Sequence, residues 1–138
     1  MGCQREIVKL IGQQVGDYVI NLKKNQSLLY ERVEQLFKEA VLSRYQGFIH
    51  SGYREQATGH GRKEIRYYSV LNNIEKLLDP EDKWAKLYSV IKVDYVRTVA
   101  GLPQLETPYF ISSLASEAKR LGELVRTHWQ IENSLHWG

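Results

Sequence analysis

The sequence predicts a mixed α/β fold, and three observations carry that expectation. Residues 28–41 place Leu29, Val33, Leu36, Phe37 and Ala40 at helical spacing, which gives one apolar helix face. Tyr18–Leu22 is a short β-rich run closed by the polar Lys23, Lys24 and Asn25. From Leu87 to Thr98, Leu87, Ile91, Val93 and Tyr95 alternate with Lys92, Asp94 and Thr98, the pattern of a strand with one buried and one wet face. A chain of 138 residues suits one domain with a modest core.

In chain order, "QREIVKLIGQQ" (residues 4–14) sets Ile7, Leu10 and Ile11 on one helical face, with Gly12 and Gly16 marking its end. The strand at 18–22 follows, giving a helix–strand unit. Ser27 stands where it can cap the helix at 28–41. "GHGRKEIRYYSVL" passes from glycines into a strand-like stretch, and "AGLPQLETP" reads as a turn-rich connector into "YFISSL". Residues 60–114 are therefore expected to form a small antiparallel sheet with a helical interruption near 74–86. Ser116 to Lys119 opens a last helix whose stripe runs through Leu121, Leu124, Val125, His128, Glu132 and Leu135.

Composition sets outer limits. At 43% apolar and 25% charged residues the chain is folded material, not a disordered polyelectrolyte. A formal charge of +3 permits contact with phosphates without demanding it. Cys3 is the single cysteine, so no internal disulfide and no multi-cysteine metal site can form, and a reducing, cytoplasmic setting is expected. No apolar run approaches the ~20 residues needed to span a bilayer, and "MGCQREIV" lacks the basic-then-apolar order of a signal peptide. Glu6 stands where an N-myristoylation pattern requires Ser or Thr, so no membrane partner is expected.

Glu132 is the anomaly, because an unpaired carboxylate on an inward stripe costs several kcal/mol to desolvate. His128 lies one turn before it and His136 one turn after. A hydrogen-bonded His–Glu pair at the edge of a core is one explanation. A second is a metal site, since His-x-x-x-Glu-x-x-x-His presents N and O ligands on one face, although it is not the zincin order.

A third explanation comes from resemblance. "VRTHWQIENSLHW" is similar to the segment that carries the last acidic residue of the DDE transposases of bacterial insertion sequences, in their H-repeat-associated group. "MGCQREI", "GDYVINLKKNQ", "GHGRKEIR", "VRTVAG", "YFISSL" and "AKRLGELVR" resemble that group's segments in the same order, over essentially the whole chain. The resemblance implies an RNase H-like catalytic core, here partial, with a β-rich insertion: residues 1–26 as core helix and strand, 27–115 as insertion, and 116–138 as the helix bearing the metal-binding Glu. It also implies an enzyme class that cleaves and transfers DNA strands with two Mg²⁺ or Mn²⁺ ions held by two aspartates and a glutamate.

Residue by residue, Glu132 matches the family's metal-binding, catalytic glutamate. An arginine commonly stands four residues earlier, where this chain has His128, read as a contact to DNA phosphate, a group that orients Glu132, or a packing residue. Arg126 matches an arginine near that glutamate and is expected to touch phosphate, with an ordinary solvated residue as its alternative. Trp129, Asn133 and Trp137 form a neighbouring stripe that is expected to pack on the core, with stacking on a splayed base of the transposon end as its alternative. Lys23 and Asn25 fall in "LKKNQ", where the family reads Leu-Lys-Gly-Asn-Gln. Lys24 replaces that glycine, which matters if the backbone there needs positive φ. His60, Arg62 and Arg66 sit on a basic strand that could bind phosphates of a transposon end; a surface ladder with Glu64 is the duller alternative. Pro108 holds a place where the family tends to have arginine, with the loss of a ladder N–H expected.

The resemblance aligns neither catalytic aspartate with this sequence: Asp17, Asp79, Asp82 and Asp94 match none, and a further family segment lies beyond Leu-His-Trp. The expectation is a truncated transposase, inactive by itself, binding no metal stably, acting on no small molecule and prone to self-association through exposed sheet edges. A non-catalytic DNA-binding module and a His/Glu metal-binding protein stand as alternatives, and a purely structural remnant is the blandest.

Overall fold

A computed structural model describes residues 17–59, 61–81 and 86–137, with side chains to residue 127. The elements are β1 (Val19–Leu22), α1 (Ser27–Leu42), β2 (Ile49–Gly59), β3 (Arg62–Asn72), α2 (Glu75–Leu78), β4 (Ser89–Val99), β5 (Leu102–Glu106), β6 (Tyr109–Ser112) and α3 (Ala118–Trp137). The helix expected at 4–14 lies outside the described residues. The six strands form one antiparallel sheet in the order β1-β6-β4-β3-β2, and β5 pairs with the outer half of β4 beyond β6.

The fold is thus mixed α/β in three layers. Leu29, Val33, Leu36, Phe37 and Ala40, the face expected for α1, pack with Leu22, Leu71, Val90 and Ile111 on one side of the sheet. Ala118, Leu121 and Val125 of α3 pack with Tyr68, Val70, Ile91, Val93 and Phe110 on the other. Because both faces are covered, the central strands read as continuous apolar runs, and all four residues of β6 are buried. The wet face expected for β4 is therefore corrected. Val90 and Ile91 point to opposite faces and both are fully buried, while Lys92 lies with its Nζ 5.5 Å from the centre of the Phe37 ring.

Several local expectations change. Ser27 does not cap α1: it is the first helical residue, Gln26 holds the cap position, and the Gln26 side chain instead accepts the Lys23 N–H at 2.9 Å. The Ala118 N–H donates to Ser51 Oγ at 2.8 Å, so a side chain from β2 satisfies the first turn of α3 across the sheet. On α3, Leu124 is 37% exposed, and Ala118 completes the buried stripe with Leu121 and Val125. Among the described residues of the expected helical interruption, the helix is Glu75–Leu78.

Two strands are additions to the expected sheet. The connector "AGLPQLETP" contains β5: Ala100 and Gly101 both have positive φ, as a two-residue primed turn requires, and Leu102–Glu106 return along β4. Pro103 is tolerated because β5 is an edge segment, exposed along its whole length. β2 lacks apolar alternation since it is the other edge, and only Ser51, Tyr53 and Glu55 turn toward α3.

At the near end, buried serines tie β1 to β6. Ser113 Oγ accepts the Tyr18 N–H at 2.7 Å, and Ser112 Oγ donates to the Tyr18 carbonyl at 2.8 Å. No buried hydroxyl is left costly there.

Candidate nucleic-acid interface

Lys23, Lys24 and Asn25 are exposed in the turn between β1 and α1, which the Gln26 N–H closes by donating to the Lys23 carbonyl at 3.0 Å. Among the described residues the non-glycines at positive φ are Arg44, Tyr45, Asn73, Lys86 and Ala100. Lys24 is not one of them, so lysine in that position carries no backbone strain. Lys23 and Lys24 line an open groove of about 520 Å³ together with Tyr30, Glu34, Leu105 and Tyr109. Pro108 falls between β5 and β6, outside both strands, and its carbonyl accepts the Val93 N–H at 3.1 Å. Opposite Val93 the proline returns no N–H, so the ladder donor is lost there as expected.

Arg62 is exposed at the β2–β3 hairpin, paired across to Gly59 and Val99, whereas His60 lies outside the described residues. Arg66 is mostly covered: its Nη2 sits 3.3 Å from Glu64 Oε2 and its guanidinium 4.9 Å from the centre of the Tyr95 ring. The Glu64 ladder named as the duller alternative is thus present. Arg126, with 45% of its side chain exposed, reaches from α3 to Glu55 on β2, Nη1 to Oε2 at 3.6 Å.

Arg66 and Arg126, 60 residues apart in the chain, line one shallow groove of about 310 Å³ with Tyr53, Arg54, Glu55, Gln56 and Ala57. Sequence reasoning missed Glu55 and Tyr68. The Tyr68 hydroxyl donates to Glu55 Oε2 at 3.2 Å, and burial, reinforced by the Glu55 charge, pushes its pKa far up, so it stays a donor. Tyr95 is likewise raised, first by burial and then by its hydrogen bond to Glu64 at 3.0 Å. The signal was available in principle: Tyr53 and Glu55 share a strand face, and β-pairing sets Glu55 directly opposite Arg66.

Close approach of α3 to this region depends on Gly122. A Cβ there would lie 2.9 Å from Tyr68 Cδ2, so the helix meets the ring through a glycine. Beyond Val125 the helix runs on through residue 137, and at about 1.5 Å per residue the backbone at 132 is some seven residues further along the axis. The side chains of His128, Trp129, Glu132, Asn133, His136 and Trp137 lie outside those described.

The family model for the transposase DDE domain matches residues 1–138. This chain belongs to the DDE transposase family. Among curated proteins, this transposase chain is 34% identical over 140 residues to "Putative transposase YncI" of Escherichia coli O157:H7, which covers 99% of this chain and 35% of that protein. It is 32% identical to the "H repeat-associated putative transposase YhhI" of Escherichia coli strain K12, over 99% of this chain and 36% of that one. The transposase chain thus spans about a third of the length of the curated relatives it matches. No solved structure matches it.

The family works with divalent metal ions. Among the described residues no three His, Cys, Asp or Glu side chains converge on a point that would hold one. No helix among the described residues is long and apolar enough to cross a membrane.

Proposed function

We propose that residues 1–138 are a part of a transposase catalytic domain with an RNase H-like core, in which 1–26 and 116–138 belong to the core and 27–115 to its insertion. In this reading Glu132 is one of three carboxylates that bind Mg²⁺ or Mn²⁺ for cleavage and transfer of DNA strands. Lys23, Asn25, Arg62, Arg66, Arg126 and His128 meet the DNA of the transposon end. No residue matches either catalytic aspartate of the family, so this stretch alone is inactive. One observation supports it most: α3 is a single helix clamped to the sheet by Ala118, Leu121 and Val125 and continuing past position 132. A metal ligand needs such a rigid mount.

The test uses the purified chain. It should bind duplex DNA with an affinity that falls steeply with salt, and Lys23→Gln or Arg62→Gln should each lower the salt slope by about 1. It should leave supercoiled plasmid intact in Mg²⁺ or Mn²⁺. Nicking that Glu132→Gln abolishes would overturn the incomplete active site, and salt-independent or absent duplex binding would overturn the DNA contacts.

A further inference from the structure

The groove where Arg66 meets Arg126 holds a carboxylate in an unusual balance. Its lining brings Arg66, which pairs with Glu64, and Arg126 beside Glu55. Glu55 is covered, with only 15% of its side chain exposed, yet its ion pair to Arg126 spans 3.6 Å. A tight charge-assisted contact is about 2.7–2.9 Å, so Arg126 is loosely engaged. The shorter tie of Glu55 is to the Tyr68 hydroxyl, at 3.2 Å. Arg66 is fixed by Glu64 and by the face of Tyr95, and its buried Nε has no hydrogen-bond partner. The groove therefore offers one guanidinium fixed by Glu64 and one held by the long contact to Glu55.

We propose that this groove seats one phosphodiester of a DNA backbone between Arg66 and Arg126, and that Glu55 is the internal competitor that holds Arg126 when DNA is absent. The proposal rests on the reading of this chain as a DNA-acting transposase segment. A phosphodiester offers two oxygens to a guanidinium fork, a better match than the monodentate 3.6 Å contact it replaces. When Arg126 turns away from Glu55, the Tyr68 hydroxyl continues to donate to that carboxylate, so it keeps one hydrogen-bond partner. Arg126 is the residue that moves, because it is nearly half-exposed and its helix is already fixed by Leu121 and Val125.

The experiment follows the side-chain Nε–Hε signals of Arg66 and Arg126 by ¹⁵N NMR of the whole chain, titrated separately with inorganic phosphate and with duplex DNA. Both titrations are expected to shift both signals. Glu55→Gln, which keeps an acceptor for Tyr68, should tighten both about fivefold, the scale of removing one partly screened charge. Arg126→Gln should weaken both, with the core amide signals unchanged as a check on folding. Shifts with phosphate but not with DNA mean a site for a free phosphate-class anion and overturn the DNA occupant. Duplex binding that leaves both signals still overturns this seat while the proposed function stands. Absence of duplex binding, with no response to phosphate, sinks both together.

Discussion

The two ends of the sheet are made from the same strands and carry different side chains. At the near end Tyr68, Val70, Leu71, Val90, Ile91, Phe110 and Ile111 are fully buried between α1 and α3. At the far end every residue of β5 is exposed, Leu102 and Leu105 stand 72% and 68% in solvent, and Arg62 and Lys63 open β3 to water. Burying one large apolar side chain stabilises by about 1.5–3 kcal/mol, whereas an exposed ion pair gives about 0–1 kcal/mol. Stability therefore belongs to the near end. The far end is free to carry the guanidinium and carboxylate groups that would lower stability in a core.

The largest expected effect tests that division. Phe110→Ala should lower unfolding stability by about 3–5 kcal/mol, because the ring is fully buried among Tyr68, Ile91 and Leu121. Arg62→Ala at the far hairpin should stay within about 0.5 kcal/mol of the parent. Urea unfolding of the two variants measures both. Comparable losses would mean that the hairpin ends contribute to the core and that the contrast between the ends is false.

Legibility in the sequence follows the same boundary. The α1 face and the β6 run were readable because burial imposes a period, and both are where the pattern puts them. β2 was not, since as an edge strand it turns only Ser51, Tyr53 and Glu55 inward and gives no apolar alternation. β5 was hidden by its glycine and proline, which mark a turn and an edge equally well. At the candidate site, Arg66 and Arg126 were each visible as cations near resembling segments, but their convergence is a matter of register and helix placement that one strand's sequence does not contain. Glu55 went unnoticed because its meaning comes from Tyr68, 13 residues away and next to it only across the β2–β3 pair.

A smaller effect sharpens the boundary where α3 crosses from the near end to the far one. Alanine is better than glycine inside a helix by about 1 kcal/mol, so Gly122→Ala would stabilise an isolated α3. Here the new Cβ would meet the Tyr68 ring at 2.9–3.1 Å, and that ring is fully buried and tied by its hydroxyl to Glu55. Overpacking of this kind costs about 1–3 kcal/mol, so the net change should be a loss of about 1 kcal/mol, read from the shift in urea midpoint. It should be accompanied by disturbed Arg126 signals, because the helix is pushed off β2. A gain in stability would mean that the ring yields and that Tyr68 does not set the height of the helix.

A pH dependence is expected as well, and Tyr109 carries the near end's share of it. Tyr109 packs edge-to-face on Tyr30 at 5.3 Å beside Phe37. Burial first, then the charges of Glu34 and its neighbours, pushes its pKa from 10.0 up to about 12. The raised value means that the folded protein keeps the phenol neutral where the unfolded chain ionises. The associated stability is therefore complete below pH about 10, the unfolded value, and is lost as pH rises through about 12. Thermal midpoints recorded from pH 9 upward should fall over that interval, and Tyr109→Phe should fall less steeply, since phenylalanine has no proton to release in either state. Phenolate absorbance of the folded chain should show the same residue titrating late. If Tyr109→Phe follows the parent curve throughout, water reaches that ring, and the near end is not the sealed half of the molecule that Phe110 and Tyr68 make it.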